Sequence, residues 1–367
     1  IPLRLVGSEM CIRDRNIYEA MRMVPGVYFN GWGAKGIDFG DHNTTLSVRG
    51  VDQGASVLLN GIPVAANNFT QLSSIDISSV ERIEVVKGAA AVLYGPETMT
   101  GVINIITRNG NSSKPEVMLE GGWGSRGNKD FRINYSDNRF QVGYTKEYIG
   151  AYAPTTDVYY GWYTDTDVYG HRKSSTKENI YVSAKLSKAV SFLYNRFMSK
   201  PIWGETASDE AERLTHSYDD IYRVRGDHWL VMYDQNGIKG KAFYSDRTSN
   251  LYNRLWDGTG SSSDEDYKTK RYGFDLQKNW YMDERHRFIA GMMAEKEKYT
   301  ELVGSHKGDR TQYALYGQYT VQVNDRYKNI FGLRYQYSSD QVKTYNEWIP
   351  QWQQLSLIHI SEPTRRR

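Results

Sequence analysis

From Pro115 to about residue 354 apolar and polar side chains alternate one by one in short runs, and this alternation restricts the architecture more than any other feature. Phe131, Ile133 and Tyr135 oppose Arg132, Asn134 and Ser136; Ile180, Val182, Ala184 and Leu186 oppose Tyr181, Ser183 and Lys185; Phe331, Leu333, Tyr335 and Tyr337 oppose Gly332, Arg334 and Gln336. A period of two puts one set on each face of a β-strand. The connections alternate too. Short turn signals fall at Asp137-Asn138, Ser187-Lys188, Gln235-Asn236-Gly237, Asp283-Glu284-Arg285 and Asn324-Asp325, and long polar loops are predicted at about 149–175, 198–225, 246–266 and 299–310. A soluble β-sandwich has turns of more uniform length. Tight turns at one end and long loops at the other are the stringing of a transmembrane barrel.

Composition agrees with that reading. No run of about 18 apolar residues occurs, which excludes a membrane protein built of helices. Aromatic residues make up 13% and charged residues 24% of the 367, a balance suited to a barrel with aromatic girdles and a polar lumen. The net charge of +3, with Lys and Arg spread among Asp and Glu, argues against a nucleic-acid partner.

Ahead of the alternating region the character differs. Residues 80–108 hold two β-branched runs, 83–86 and 102–107, of the kind that pack as buried strands, joined through Gly88, Gly95, Pro96 and Gly101. No Gly-Lys-Ser/Thr follows these glycines, so they are not a phosphate loop. By itself this is a β-turn-β unit. Residues 16–23 carry a short helical pattern, with Ile17, Ala20, Met21 and Val24 at helical spacing and Pro25-Gly26 as its stop.

The blocks Glu81-Arg82-Ile83-Glu84-Val85, Lys87-Gly88, Leu93-Tyr94-Gly95 and Gly101-Val102-Ile103-Asn104-Ile105-Ile106-Thr107 resemble the end of the plug domain of TonB-dependent outer-membrane receptors. Upstream, 20–27 with Pro25-Gly26, the strand 46–50 ending in Arg49-Gly50, and Val57-Leu58-Leu59-Asn60-Gly61-Ile62-Pro63-Val64 are similar to the other plug blocks, in the same order. Asn60 stands where Asp is commoner, and Pro96-Glu97-Thr98-Met99-Thr100 replaces a smaller, more Gly-rich bridge.

The resemblance implies an all-β transmembrane barrel with a small α+β plug in its lumen, the plug at 16–110 and the first half of the wall at 115–354. Roughly eleven or twelve antiparallel strands are expected in this chain, against about 22 in plugged transporters. It implies active import of a scarce, large ligand such as an iron-siderophore, haem or cobalamin, driven by a TonB-type periplasmic energy transducer, in a protein bathed in outer-membrane lipid. Phe29, Asn30, Trp32 and Lys35 would lie on a first plug apex within the Gly/Asn/Asp-rich loop 28–45, and Asn67, Asn68, Phe69 and Gln71 on a second, as ligand contacts. Arg49, Glu81, Arg82, Glu84 and Lys87 would form plug-to-barrel ion pairs, since lumen charges are costly unless paired.

No catalytic constellation is present: the seven histidines are scattered without HExxH or CxxC spacing, and there is no Gly-x-Ser-x-Gly elbow. Neither a cofactor nor a metal site is assigned. Asp264-Glu265-Asp266 and Asp219-Asp220 offer calcium-type oxygens but read first as solvated runs. Tyr159-Tyr160, Trp162-Tyr163 and Tyr169 fit either a ligand platform or the outer aromatic girdle, with the girdle preferred. A passive porin or autotransporter-like barrel is the alternative, accounting for 115–354 but not for the plug blocks. A secreted carbohydrate-active enzyme would need paired carboxylates in a cleft. Residues 5–15 and 355–365, LVGSEMCIRDR and LSLIHISEPTR, share no pattern with their neighbours and resemble translated sequencing-adapter ends, so 1–15 and 355–367 are set apart from the fold.

Overall fold

The computed structural model describes residues 3–6, 17, 26–30, 45–48, 50–52, 55–63, 75–87, 91–95, 98, 101–108, 114–151, 168–207, 218–255, 260–262, 266–302, 306–324 and 327–356. Within the first 108 residues lie β1 (Leu3–Val6), β2 (Val27–Asn30), β3 (Thr45–Val48), β4 (Val51–Asp52), β5 (Ala55–Leu59), β6 (Ile62–Pro63), β7 (Val80–Lys87), the short helix α1 (Ala91–Tyr94) and β8 (Gly101–Thr107). They make a five-stranded sheet in the order β1-β7-β8-β5-β6 and a small sheet β2-β3-β4. β1 falls in the segment that the sequence sets apart, and its backbone pairs antiparallel with β7, Leu3 opposite Val85.

β8 is the centre of this domain. Its Val102-Ile103-Asn104-Ile105 run is buried on both faces, as a continuous apolar strand must be when covered above and below. It pairs antiparallel with β7 and parallel with β5. The core is Val57, Leu59, Ile62, Val80, Ile83, Val85, Ile103 and Ile105, and two wall residues, Leu193 and Leu230, complete it. Between β5 and β6 the chain reverses through Asn60 (φ 51) and Gly61 (φ 81), a two-residue turn that needs left-handed backbone at both positions.

The remaining strands are β9 (Glu116–Trp123), β10 (Lys129–Ser136), β11 (Phe140–Ile149), β12 (Val168–Lys185), β13 (Val190–Ala207), β14 (Tyr218–Gln235), β15 (Ile238–Leu255), β16 (Gly260–Ser262), β17 (Tyr267–Tyr281), β18 (His286–Glu301), β19 (Lys307–Gln322), β20 (Tyr327–Asp340) and β21 (Thr344–Ser356). Twelve of them, β9–β15 and β17–β21, follow one another antiparallel in chain order, with β16 appended to β15. The faces are inverted relative to a soluble protein. Phe131, Ile133 and Tyr135 are 46%, 40% and 38% exposed, whereas Arg132 and Asn134 between them are 6% and 8% exposed. Apolar side chains face outward to lipid, and polar ones face inward onto the plug. Among the described residues no helix is long and apolar enough to cross a membrane.

The five tight turns occur where the sequence places them. The long loops are narrower than expected: β13 runs to Ala207 and β14 starts at Tyr218, inside the loop predicted at 198–225. About 9–11 residues cross the hydrocarbon, so these strands of 18 residues continue beyond it, where charged residues such as Arg223 and Arg225 stand exposed and apolar Tyr222 and Val224 are buried. Likewise the loop predicted from 28 begins later, because Tyr28, Phe29 and Asn30 pair with Ser47, Leu46 and Thr45. Of the helix expected at 16–23, only Ile17 is described, helical and buried.

Candidate functional site

The site is the seat on which the small domain rests against the inner face of the wall, and it has three parts. The first is at the exit of β8. Asp76 caps the tight turn Ile77–Ser79, its carboxylate accepting from the Ser78 N–H (2.7 Å) and from the Ser78 hydroxyl. The Ser78 hydroxyl also meets the phenol of wall residue Tyr181, which accepts from Gln141 Nε2 at 3.2 Å. Arg108 N donates to Ser79 O (2.8 Å) and Arg108 Nε to Val80 O (3.1 Å), while Ser183 Oγ of β12 donates to Arg108 O at 2.9 Å. The end of β8 is thereby fixed to the wall strand β12.

The second part is mainly apolar. Leu59, Ile62 and Pro63 meet Leu193, Leu230 and Phe243 of β13–β15 around a cavity of about 20 Å³, the size of one water. His228, 8% exposed, lines it, with Nδ1 2.5 Å from Ser245 Oγ and its ring stacked on Phe197. Beside it the Lys241 ammonium comes up against the bare Cα of Gly61.

The third part is charged. Arg334 of β20, 1% exposed, donates through Nη1 to Val92 O of α1 (3.2 Å) and through Nε to Gln336 Oε1 (2.7 Å). Its guanidinium lies 5.5 Å from the ring centroid of Tyr316, whose hydroxyl donates to both oxygens of Asp275 at 3.2 and 3.1 Å. Asp275 also faces Lys241 and Tyr94; burial, then the charges of Glu84 and Asp275, raise the Tyr94 phenol above its ordinary value. The Val92 side chain comes within 2.9 Å of where a Cβ on Gly332 would be, so the bare backbone of β20 makes room for α1.

Elsewhere the inner wall carries its charges in pairs. Arg132 bridges Glu120 (3.2 Å) and Glu147 (3.1 Å), Arg271 holds Glu295 (2.5 Å) and Arg310 holds Glu297 (2.8 Å). Such pairing is what a buried charge requires.

Of the residues singled out from sequence, Phe29 and Asn30 lie at the end of β2 by their backbone, and Lys87 closes β7 opposite Gly101. Trp32, Lys35, Arg49, Asn67, Asn68, Phe69 and Gln71 lie outside the described residues. Arg82 pairs with Glu81 (2.5 Å) and Glu84 (2.9 Å), both on its own strand. Asp264 and Glu265 also lie outside, and Asp266 Oδ1 accepts from Leu251 N at 2.8 Å. The seat residues Arg334, Asp275, Lys241 and Tyr181 were not singled out. Their signal was parity: each stands on the polar, inward face of its strand.

A small α+β domain seated by polar contacts inside a lipid-facing sheet defines the plugged outer-membrane β-barrel proteins. Comparison narrows the class. Residues 11–102 match the TonB-dependent Receptor Plug Domain family. Over 144 residues the chain is 28% identical to the vitamin B12 transporter BtuB of Vibrio vulnificus (strain CMCP6), covering 38% of this chain and 22% of that protein. Its fold is that of the ferric enterobactin receptor of Pseudomonas aeruginosa (TM-score 0.68, 11% identity, 96% of this chain and 59% of that one). It is equally that of the FrpB iron transporter of Neisseria meningitidis (TM-score 0.68, 12% identity, 94% and 59%). The residues similar to a TonB-dependent receptor plug are thus continuous with a twelve-stranded wall, an architecture whose place is the outer membrane of a Gram-negative-type bacterium. The chain spans little more than half the length of these structures.

Proposed function

We propose that this chain serves TonB-dependent active import of a scarce, large ligand, an iron-siderophore, haem or cobalamin, across the outer membrane. The observation that carries the reading is the seat itself. The plug is held by a mixture of hydrogen bonds, one buried arginine and a small apolar contact, a set that can be released stepwise without dismantling the wall. The vitamin B12 transporter and the iron transporter named above support outer-membrane ligand uptake as the activity. In this reading the plug apices bearing Phe29, Asn30, Trp32, Lys35, Asn67, Asn68, Phe69 and Gln71 meet the ligand, and a periplasmic TonB-type transducer supplies the energy.

The test is uptake by cells carrying the full-length protein, with radiolabelled cyanocobalamin, ferric siderophores and haemin offered separately. Import of one ligand that stops on dissipating the proton-motive force, or on deleting the transducer, is the expected result. Uptake that continues without energy, together with large spontaneous conductance in a planar bilayer, would instead make the protein a passive pore.

A further inference from the structure

From Arg334 toward the long-connection end, the inner face of β17–β20 carries a ladder of charges that closes on itself. Glu297 stands directly opposite Arg271 on one side and Arg310 on the other, and Glu295 is the next residue on the same face of β18. They share strand parity with Asp275, Tyr316 and Met293, which gather around Arg334, so they face the lumen. Arg271 takes Glu295 (2.5 Å) and Arg310 takes Glu297 (2.8 Å), so two arginines and two glutamates interleave with no net charge. Nearer the mouth the carboxylates are again engaged. Glu301 meets His306 Nδ1 at 2.6 Å, and Asp340, opposite Arg310 by register, accepts from Val342 N and Lys343 N at 2.8 and 2.7 Å. Among the described residues of this face, carboxylates are at least as numerous as cations.

The other groups here are neutral. The rings of Tyr267 and Tyr299 lie 5.7 Å apart, and Gln312 Nε2 is 3.5 Å from the Ser338 hydroxyl. Tyr299, Gln312 and Ser338 are half-buried and within reach of an entering molecule, whereas Tyr267 is buried and backs the Tyr299 ring. A polyanion could recruit Arg271 or Arg310 only by displacing a glutamate, which would then stand beside the ligand as a like charge; such a surface selects against polyanions. An uncharged ligand disturbs neither pair. It finds donors and acceptors in Gln312 and Ser338 and an apolar surface in Tyr299.

We propose that the ligand met by this wall is an uncharged complex rich in amides or hydroxyls, a corrinoid or a ferric trihydroxamate, and that Glu295 and Glu297 exclude polyanions such as a ferric tris-catecholate or haem. Tyr299, Gln312 and Ser338 are its contacts. The inference rests on the import reading above and narrows the ligand within it.

The experiment is equilibrium titration of the full-length protein in neutral detergent with cyanocobalamin, a ferric trihydroxamate, a ferric tris-catecholate and haemin. Binding needs no energy source, so its outcome is separate from that of the uptake test. One uncharged probe should bind at least about tenfold more tightly than either anion. Tyr299→Ala should weaken that binding about tenfold, and Tyr299→Phe should restore it. Glu297→Gln takes the carboxylate from Arg310 and should raise the affinity for the tris-catecholate about threefold or more, most at low salt, with the uncharged probe unaffected. Heat-modifiable migration checks that each variant keeps its wall. Tightest binding of an anionic probe, binding of neither uncharged probe, or an anion affinity unmoved by both Glu297→Gln and Glu295→Gln overturns the inference. Selective binding of an uncharged probe without energy-dependent uptake would overturn the import reading and leave the charge selection of the wall standing.

Discussion

Asn60 and Thr107 clasp each other in both directions: Asn60 Oδ1 accepts from Thr107 N at 3.0 Å, and Asn60 Nδ2 donates to Thr107 Oγ1 at 2.9 Å. The turn after β5 is thus stitched to the last residue of β8, 47 positions later. Asn60→Ala strands the buried Thr107 N–H and puts Ala at positive φ, with an expected cost of about 2–4 kcal/mol. Asn60→Asp keeps the acceptor, and the Thr107 hydroxyl can turn to donate, so the expected cost is under about 1 kcal/mol. Amide hydrogen exchange of β8 in the two variants measures the difference.

Arg334 holds α1 by its Val92 carbonyl, and Gly332 gives α1 its space. Arg334→Met removes a buried cation that Asp275 faces, at an expected cost of about 3 kcal/mol or more. Gly332→Ala forces Val92 away by contact alone. In both variants the exchange protection of residues 91–95 should collapse while heat-modifiable gel migration, which reports the wall, persists. Loss of the wall in both would show that α1 is not a separate attachment.

Gly61 and Gly237 both sit in two-residue turns at positive φ, 81° and 74°. They differ in what an added Cβ meets: the flexible end of Lys241 at Gly61, but the rigid Asn279 carbonyl, 2.6 Å away, at Gly237. Gly61→Ala should cost roughly the 1–2 kcal/mol of a left-handed L-residue. Gly237→Ala must also displace the neighbouring strand, so its refolding yield in detergent should be the lower of the two.

The tight turns carry an acid-sensitive element. Asp137 accepts from Arg139 N and Phe140 N, and Asp283 from Arg285 N and His286 N, all at 2.7 Å. These backbone donors hold both carboxyls below the ordinary carboxylate value. Because the folded value is the lower one, the contribution is complete above the unfolded carboxylate pKa and is lost as pH falls through the folded one. Thermal stability should therefore be insensitive to these groups at neutral pH and decline below about pH 4. A double Asp137→Asn, Asp283→Asn variant should show a shallower acid decline.

Much of the wall was legible because lipid outside and polar lumen inside impose a strict period of two; Phe131 and Arg132 alone reveal which side is which. The strand extensions past the membrane were hidden, since there the pattern is reversed: Tyr222 and Val224 are buried while Arg223 and Arg225 between and beyond them are exposed, so the segment does not read as a lipid-facing strand. In the plug, the buried run of β8 announced a central strand, but its parallel pairing with β5 depends on residues more than forty positions apart. Arg334 was visible as a polar-face residue. That it reaches Val92 could not be read, because register across 242 positions is set by closure of the tertiary structure.

The fixing of Arg108 to Ser183 gives the plug a mechanical polarity. β8 is the innermost strand and its exit is fastened to the wall, so tension applied at β5 or β7 crosses the β5–β8 or β7–β8 ladder before it reaches that anchor. A load along those strands strains their hydrogen bonds in shear, all together. α1 hangs on the Arg334 contact, and β6 is joined to β5 by two residue pairs, so these peripheral pieces peel one bond at a time. The plug is built to come loose from its margin inward, leaving β8 attached to the wall.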